Sequence, residues 1–424
     1  MLSENTESMD NVPDKYYFVY FSILWLGFGF LTPYQMFISS IDYFTVLFPT
    51  IQVQYYIAWT YCVANAISFF PVLRFGPRYT FYTRIFVSFI IFTLILISIS
   101  LLIAFNSLEF WFLMILTPLV GFTDALIQPA LASYSAIFPG RYMVAYQTGN
   151  GVSGIVASLI RVLTKLLIPH DIKSSSLVYF IVGLLISISC VLVNMAADST
   201  HFVQTHLKKL NTSFVIKEEV IDPVEGTTPK SETDQVQLNQ DSQSVAESNI
   251  DWRRTKEYDF VGTVKSIPGP IISVFFTYVV TLSLFPGLVS MIPSDDFLSQ
   301  ESWFPIFLIA LYNIFDFVGK MAPTVPLLDK IPITAVYIMT ILRIFFYPVM
   351  LFCVKPRLIV TPIVPILATS LLALSNGLIT SLLFVYVSRT APLQNKEDCV
   401  SSMTLFLVIG LAVGSLVGLG FSFM

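Results

Sequence analysis

The chain has 424 residues, 55% hydrophobic, 15% aromatic and 12% charged, with a mean hydropathy of +0.76; a soluble domain carries about 25% charged residues. A soluble globular protein is excluded, and a net charge of −4 without a basic patch excludes a nucleic-acid binder. The long apolar runs lack the alternation of a membrane barrel, so an all-α polytopic membrane protein is expected.

Residues 1–15 are a polar tail, expected on the cytoplasmic side. The apolar segment after it is too long for a cleavable signal and is expected to stay as an anchor. A helix crosses a bilayer with about twenty apolar residues. Eleven segments qualify: 16–40, 52–74, 80–104, 109–137, 144–168, 176–197, 265–290, 303–326, 332–354, 358–388 and 398–424. The predicted organisation is a six-helix bundle over 16–197, a cytoplasmic loop over 198–264, and a five-helix bundle over 265–424. The loop holds Lys217-Glu218-Glu219 and a Gln/Ser/Asp-rich tract without apolar period, and is expected to be largely disordered. With the N-terminus cytoplasmic, lysine and arginine concentrate on the cytoplasmic side even without the long loop. Lys165, Lys173, Lys355 and Arg357 fall on the other side, where an odd span count places the C-terminus.

Polar groups inside the spans carry the functional reading. In the first span, Pro33 precedes Tyr34 and Gln35, which reads either as a bent helix with a stacking surface or as an interfacial anchor. In the fourth, Asp124 and Gln128 are four apart and share a face, followed by Pro129. They read as a binding pair, with Asp124 able to exchange protons, or as an interhelical hydrogen bond. Gly149-Asn150-Gly151-Val152-Ser153-Gly154 matches GxGxxG, but no strand or βαβ unit surrounds it, so Gly149, Gly151 and Gly154 read as a small-residue packing face. Arg161 is expected to snorkel from the fifth span. In the eighth, Asn313, Asp316 and Lys320 fall on one face, and a carboxylate in hydrocarbon marks a translocation path. Arg343, inside the ninth, needs a carboxylate or carbonyl partner and reads equally as a structural pair or a substrate contact.

Cys62, Cys190, Cys353 and Cys399 lack paired spacing and read as packing residues. No metal-ligand spacing, P-loop lysine or nucleophile–base pattern is present, so neither a cofactor nor an enzyme is expected.

Several motifs in order carry a resemblance. These are Ser283-Leu284-Phe285-Pro286-Gly287, Asn313-x-x-Asp316-x-x-Gly319-Lys320, Leu342-Arg343 with Tyr347-Pro348, and Ser375-Asn376-Gly377. With six and five spans around a long inner loop, the chain resembles the equilibrative nucleoside transporter family, and most of all its plant-type or protist members. The resemblance implies a fold related to the major facilitator type and alternating access for nucleosides, with nucleobases a further candidate. Transport would be facilitative or coupled to protons. It implies that Asp316 and Lys320 meet the ribose hydroxyls, that Gln128 meets the base, and that Tyr34 and Gln35 line the cavity. Asn313, Asp124 and Arg343 are the gating or proton-linked candidates. Lys320 stands where the family usually has Arg, and Tyr34-Gln35 where it has Trp-Asn. The rival readings are a channel or receptor, or a non-transporting endomembrane protein of the same fold. Plasma membrane and endomembrane are both open.

Overall fold

The computed structural model describes residues 13–51, 53–168, 171–221, 258–292 and 303–421. These residues form helices and turns, without a strand among them. The main helices are α1 (Phe18–Ser39), α2 (Val53–Phe75), α3 (Phe81–Ala104), α4 (Phe110–Ile137), α5 (Gly140–Leu167), α6 (Ile172–Asp198) and α7 (His201–Ile221). After the stretch outside the described residues come α8 (Phe260–Ser266), α9 (Pro268–Leu284), α10 (Trp303–Met321), α11 (Ile333–Leu342), α12 (Phe346–Val354), α13 (Ile363–Thr390) and α14 (Lys396–Phe421). Ten helical spans among the described residues are long and apolar enough to cross a membrane, α11 and α12 together making one of them. Helix α10 stands apart from those ten and carries Asn313, Asp316 and Lys320 within its 19 residues.

Local chemistry sets the helix ends. Thr80 caps α3 by accepting from Thr83 N, and Asp171 caps α6 by accepting from Ser174 N at 3.1 Å. The Ser174 hydroxyl and amide hold the Asp171 carboxyl below the usual carboxylate range. Pro139 precedes α5 and Pro362 precedes α13, so α5 starts earlier and α13 later than the apolar runs suggest.

The expected loop over 198–264 needs correction at its start. His201–Ile221 is a helix, because Phe202, Val203 and Leu210 recur at helical spacing and are buried. Phe202 stacks on Phe138 and Tyr142, with ring centroids 5.5 Å away in each case. Residues 222–257 lie outside the described residues.

The two halves repeat one packing plan. In the first, α1 packs most heavily on α5 and α2 on α4; in the second, α9 packs on α14 and α10 on α13. Without hydrophobic drive between helices in lipid, close approach through small residues supplies the contact. A Cβ on Gly149 would lie 2.8 Å from Phe28 N of α1, and one on Gly414 would lie 2.7 Å from Val279 O of α9. Gly319 and Gly377 do the same for α10 and α13, where a Cβ on Gly377 would sit 2.7 Å from Lys320 N.

Candidate functional site

The glycine contact between α10 and α13 brings Asn376 beside Asp316. Asp316 Oδ2 lies 2.8 Å from Lys320 Nζ one turn along the same helix, and its Oδ1 accepts from Asn376 Nδ2 at 2.7 Å. Both charged residues are buried, Asp316 at 8% and Lys320 at 7% exposure. The Asn376 carbonyl accepts from Thr281 Oγ1 of α9 at 2.7 Å, and Thr281 Oγ1 accepts from Arg343 at 2.6 Å. Arg343 also donates to Leu372 O, at 2.9 Å, and to Ser375 Oγ. A buried guanidinium needs carbonyl or carboxylate partners; these hydroxyls and this carbonyl engage both terminal nitrogens and leave Nε without a partner among the described residues. Tyr312, one turn before Asp316, stacks on Phe285 with centroids 3.7 Å apart.

The first half holds a matching cluster. Tyr61 OH donates to Asp124 Oδ2 at 2.7 Å, and Asn65 Nδ2 donates to Tyr61 OH at 3.4 Å. The Tyr61 ring stacks on Tyr34 with centroids 3.6 Å apart. Tyr61 and Asn65 are spaced like Tyr312 and Asp316, and each lies on the second span of its half. Asp124 and Asn376 both lie on the fourth. The acid and the amide have exchanged places between the halves. Asp124 Oδ1 is buried without a hydrogen-bond partner among the described residues. Gln128, one turn further, is also buried and makes no hydrogen bond with a described residue. Its amide therefore keeps both donor and acceptor capacity.

Helix α5 joins the two clusters. A Cβ on Gly151 would meet Lys320 Cδ at 3.1 Å and Phe317 Cα at 3.2 Å. On Gly154 it would lie 3.5 Å from Asn313 Oδ1 and 3.6 Å from Gln35 Nε2. The three glycines thus divide their work: Gly149 packs within its half, while Gly151 and Gly154 let polar side chains of α1 and α10 converge. Gln35, Asn313 and Lys320 are brought against α5; Asp316 pairs with Lys320, and Tyr34 stacks on Tyr61 of α2. Arg343 stands behind Asn376 as a tie between helices.

Arg343 meets the Leu372 carbonyl, and Asp124 Oδ2 is met by Tyr61, because α2 packs directly on α4. One expectation is corrected. Arg161 is buried at 5% exposure rather than snorkelling, with its guanidinium 5.6 Å from the centre of the Tyr179 ring. Other residues were not legible as functional. Arg84 of α3 forms a buried ion pair with Glu397 of α14, Ser133 lies 3.2 Å from Ser401, and Lys396 donates to Ala136 O at 3.1 Å. These links close the bundle at the end where α1 begins. Tyr61 and Asn65 had a usable signal, the four-residue spacing repeated at Tyr312 and Asp316.

The comparisons agree with this architecture. Residues 114–423 match the family model described as nucleoside transporter. Equilibrative nucleotide transporter 1 of Arabidopsis thaliana is 31% identical, over 98% of this chain and 89% of its own length. Equilibrative nucleoside transporter 4 of Homo sapiens is 26% identical, over 95% and 82%. Among solved structures, the Major Facilitator Superfamily transporter FucP in the outward conformation gives a TM-score of 0.62 at 11% identity, covering 95% of this chain and 91% of that one. At that identity the likeness concerns the fold.

Proposed function

From the premise that this chain belongs to the equilibrative nucleoside transporter family, we propose that it carries nucleosides across a membrane by alternating access. Eleven spans, α10 included, form two halves that rock about the site, with the N-terminus cytoplasmic. The observation that carries the substrate reading is the contrast between the two clusters. One presents an acid and an ammonium 2.8 Å apart; the other presents the unengaged amide of Gln128 one turn from Asp124, whose partner Tyr61 stacks on Tyr34. A vicinal diol suits the first, accepting from Lys320 and donating to Asp316. The edge of a base suits the amide, and its face suits Tyr34. A neutral amphipathic solute needs this mix of a few convergent polar groups and apolar walls. Free nucleobases would use the second cluster alone and so bind more weakly.

The free Oδ1 of Asp124 favours a second reading in which a proton accompanies the substrate. Protonation would remove a buried charge from the occluded carrier.

The test is uptake of labelled nucleosides and nucleobases in transport-deficient cells, followed by countertransport in liposomes holding the purified protein. Saturable exchange of nucleosides is expected. Flux without countertransport would point to a channel, and absence of both to a non-transporting relative.

A further inference from the structure

At the end closed by Arg84 and Glu397, α2 runs into a short turn, Gly76–Arg78, and faces α8 and α14. Between them lies a cavity of about 370 Å³. Its apolar walls are Phe70 and Leu73 of α2, Phe260 of α8 and Leu405 of α14; its polar lining is Arg74, Arg78 and Tyr258. The Tyr258 hydroxyl is engaged with Ser402 at 2.5 Å, and burial raises its pKa. Asp398 lines a neighbouring hollow with Leu73 and Tyr258. Arg74 and Arg78 lie against the Phe75 ring, 6.0 and 5.2 Å from its centre. Among the described residues, neither has a carboxylate or hydrogen-bond partner. Two forked donors, lining one hollow without an acid among its described lining, match the oxygens of a phosphate.

The surroundings identify what bears that phosphate. Trp59, Val63, Ile67 and Phe70 are exposed along one face of α2 at helical spacing. On a membrane span such an exposed apolar stripe suits contact with hydrocarbon, and it reaches the cavity at Phe70. A ligand lying along both would have apolar chains on the stripe and an anionic head between the arginines. Basic hollows between spans near the membrane surface suit such head groups.

We propose that this cavity binds an anionic phospholipid through its phosphate, held by Arg74 and Arg78. Its walls come from both halves of the bundle, α2 on one side and α8 and α14 on the other. An occupied cavity therefore favours the state in which this end is shut, and the lipid regulates the rocking motion.

The proposal is tested on the purified full chain in nanodiscs, by native mass spectrometry and thermal melting. The probes are phosphatidic acid, phosphatidylcholine, soluble glycerol phosphate and inorganic phosphate. Phosphatidic acid should be retained and raise the melting temperature, and phosphatidylcholine should do neither. Arg74→Gln with Arg78→Gln should weaken phosphatidic acid about 25-fold, from about fivefold per basic side chain near an anionic surface. Arg74→Lys with Arg78→Lys should keep most of the binding, and it decides the matter if the Gln pair fails to fold. Phe70→Gln should weaken the lipid, and Lys330→Gln should change nothing. Equal retention of phosphatidylcholine, or unchanged binding in the Gln pair, would overturn the proposal. Soluble phosphates that compete as strongly as the lipid would reduce it to a simple anion site and overturn the lipid assignment.

Discussion

Asp316→Asn removes one charge from a cluster in which Lys320 Nζ lies 2.8 Å from one carboxylate oxygen and Asn376 Nδ2 lies 2.7 Å from the other. The new side chain can still accept from Asn376, but its amide NH₂ then turns toward the ammonium. Lys320 is only 7% exposed, so little water reaches it to replace the lost partner. Leaving one member of a buried pair alone costs about 3–5 kcal/mol of stability. A hydrogen bond from a ligand hydroxyl to a charged acceptor is worth about 1.5–3 kcal/mol, which is about 10- to 150-fold in uptake efficiency. The two magnitudes act on different observables and can be separated. Adding Lys320→Gln removes the stranded ammonium, so the double variant should regain most of the melting temperature and none of the transport. The assay is nucleoside uptake at matched surface abundance, with thermal melting of the purified variants. Normal uptake by Asp316→Asn would refute the substrate role. A double variant less stable than either single would refute the pairing argument.

Gln128→Ala should change the ranking of competing bases, whereas Lys320→Ala should lower all nucleosides alike; equal losses in both variants would contradict this division, read by competition for uptake. Gly377→Ala drives a Cβ into the Asp316 carbonyl and Lys320 amide, and should cost about 1–3 kcal/mol by overpacking while abolishing uptake. Gly287→Ala, with open space around its Cβ, is the melting control. Arg84→Ala removes the ion pair between α3 and Glu397 of α14, so a thiol placed by Ser401→Cys should label faster from that end; the exchange Arg84→Glu with Glu397→Arg should restore slow labelling. If Asp124 carries a proton, wild-type uptake should rise between about pH 7.5 and 5.5 and Asp124→Asn should be flat across that range; a flat wild type would leave a plain equilibrative carrier.

The helical spans were legible because burial in lipid demands long apolar runs, and the observed helices start and stop close to those runs. The Asp316–Lys320 pair was legible because four residues on a helix fix its geometry before any tertiary contact forms. Which groups Asn376, Thr281 and Tyr61 would meet was not, since those partners come from other helices and depend on where α13, α9 and α2 pack. Arg343 shows the limit well: a buried guanidinium announces that it needs partners, but not that they are a carbonyl and two hydroxyls instead of a carboxylate. Arg84 and Glu397 sit near helix ends, where charges read as surface residues. Helix α7 is not legible because its apolar positions, interleaved with Lys, Gln, Asn and Glu, look like a solvated loop until Phe138 and Tyr142 are there to receive Phe202.

Arg343 lies where α11 tightens into a single 3₁₀ turn before α12, and from there it grips α9 through Thr281 and α13 through Leu372 and Ser375. This is a rivet through three helices of one half. A carrier that exposes its site to one side at a time stays tight only if each half tilts as a stiff plate. A plate that flexes opens a gap at one rim before the other has sealed, and solute or ions slip through without a completed cycle. In the rocking carrier proposed above, the grip of Arg343 would therefore bear on leakiness as much as on turnover, by keeping the second half from bending while it swings.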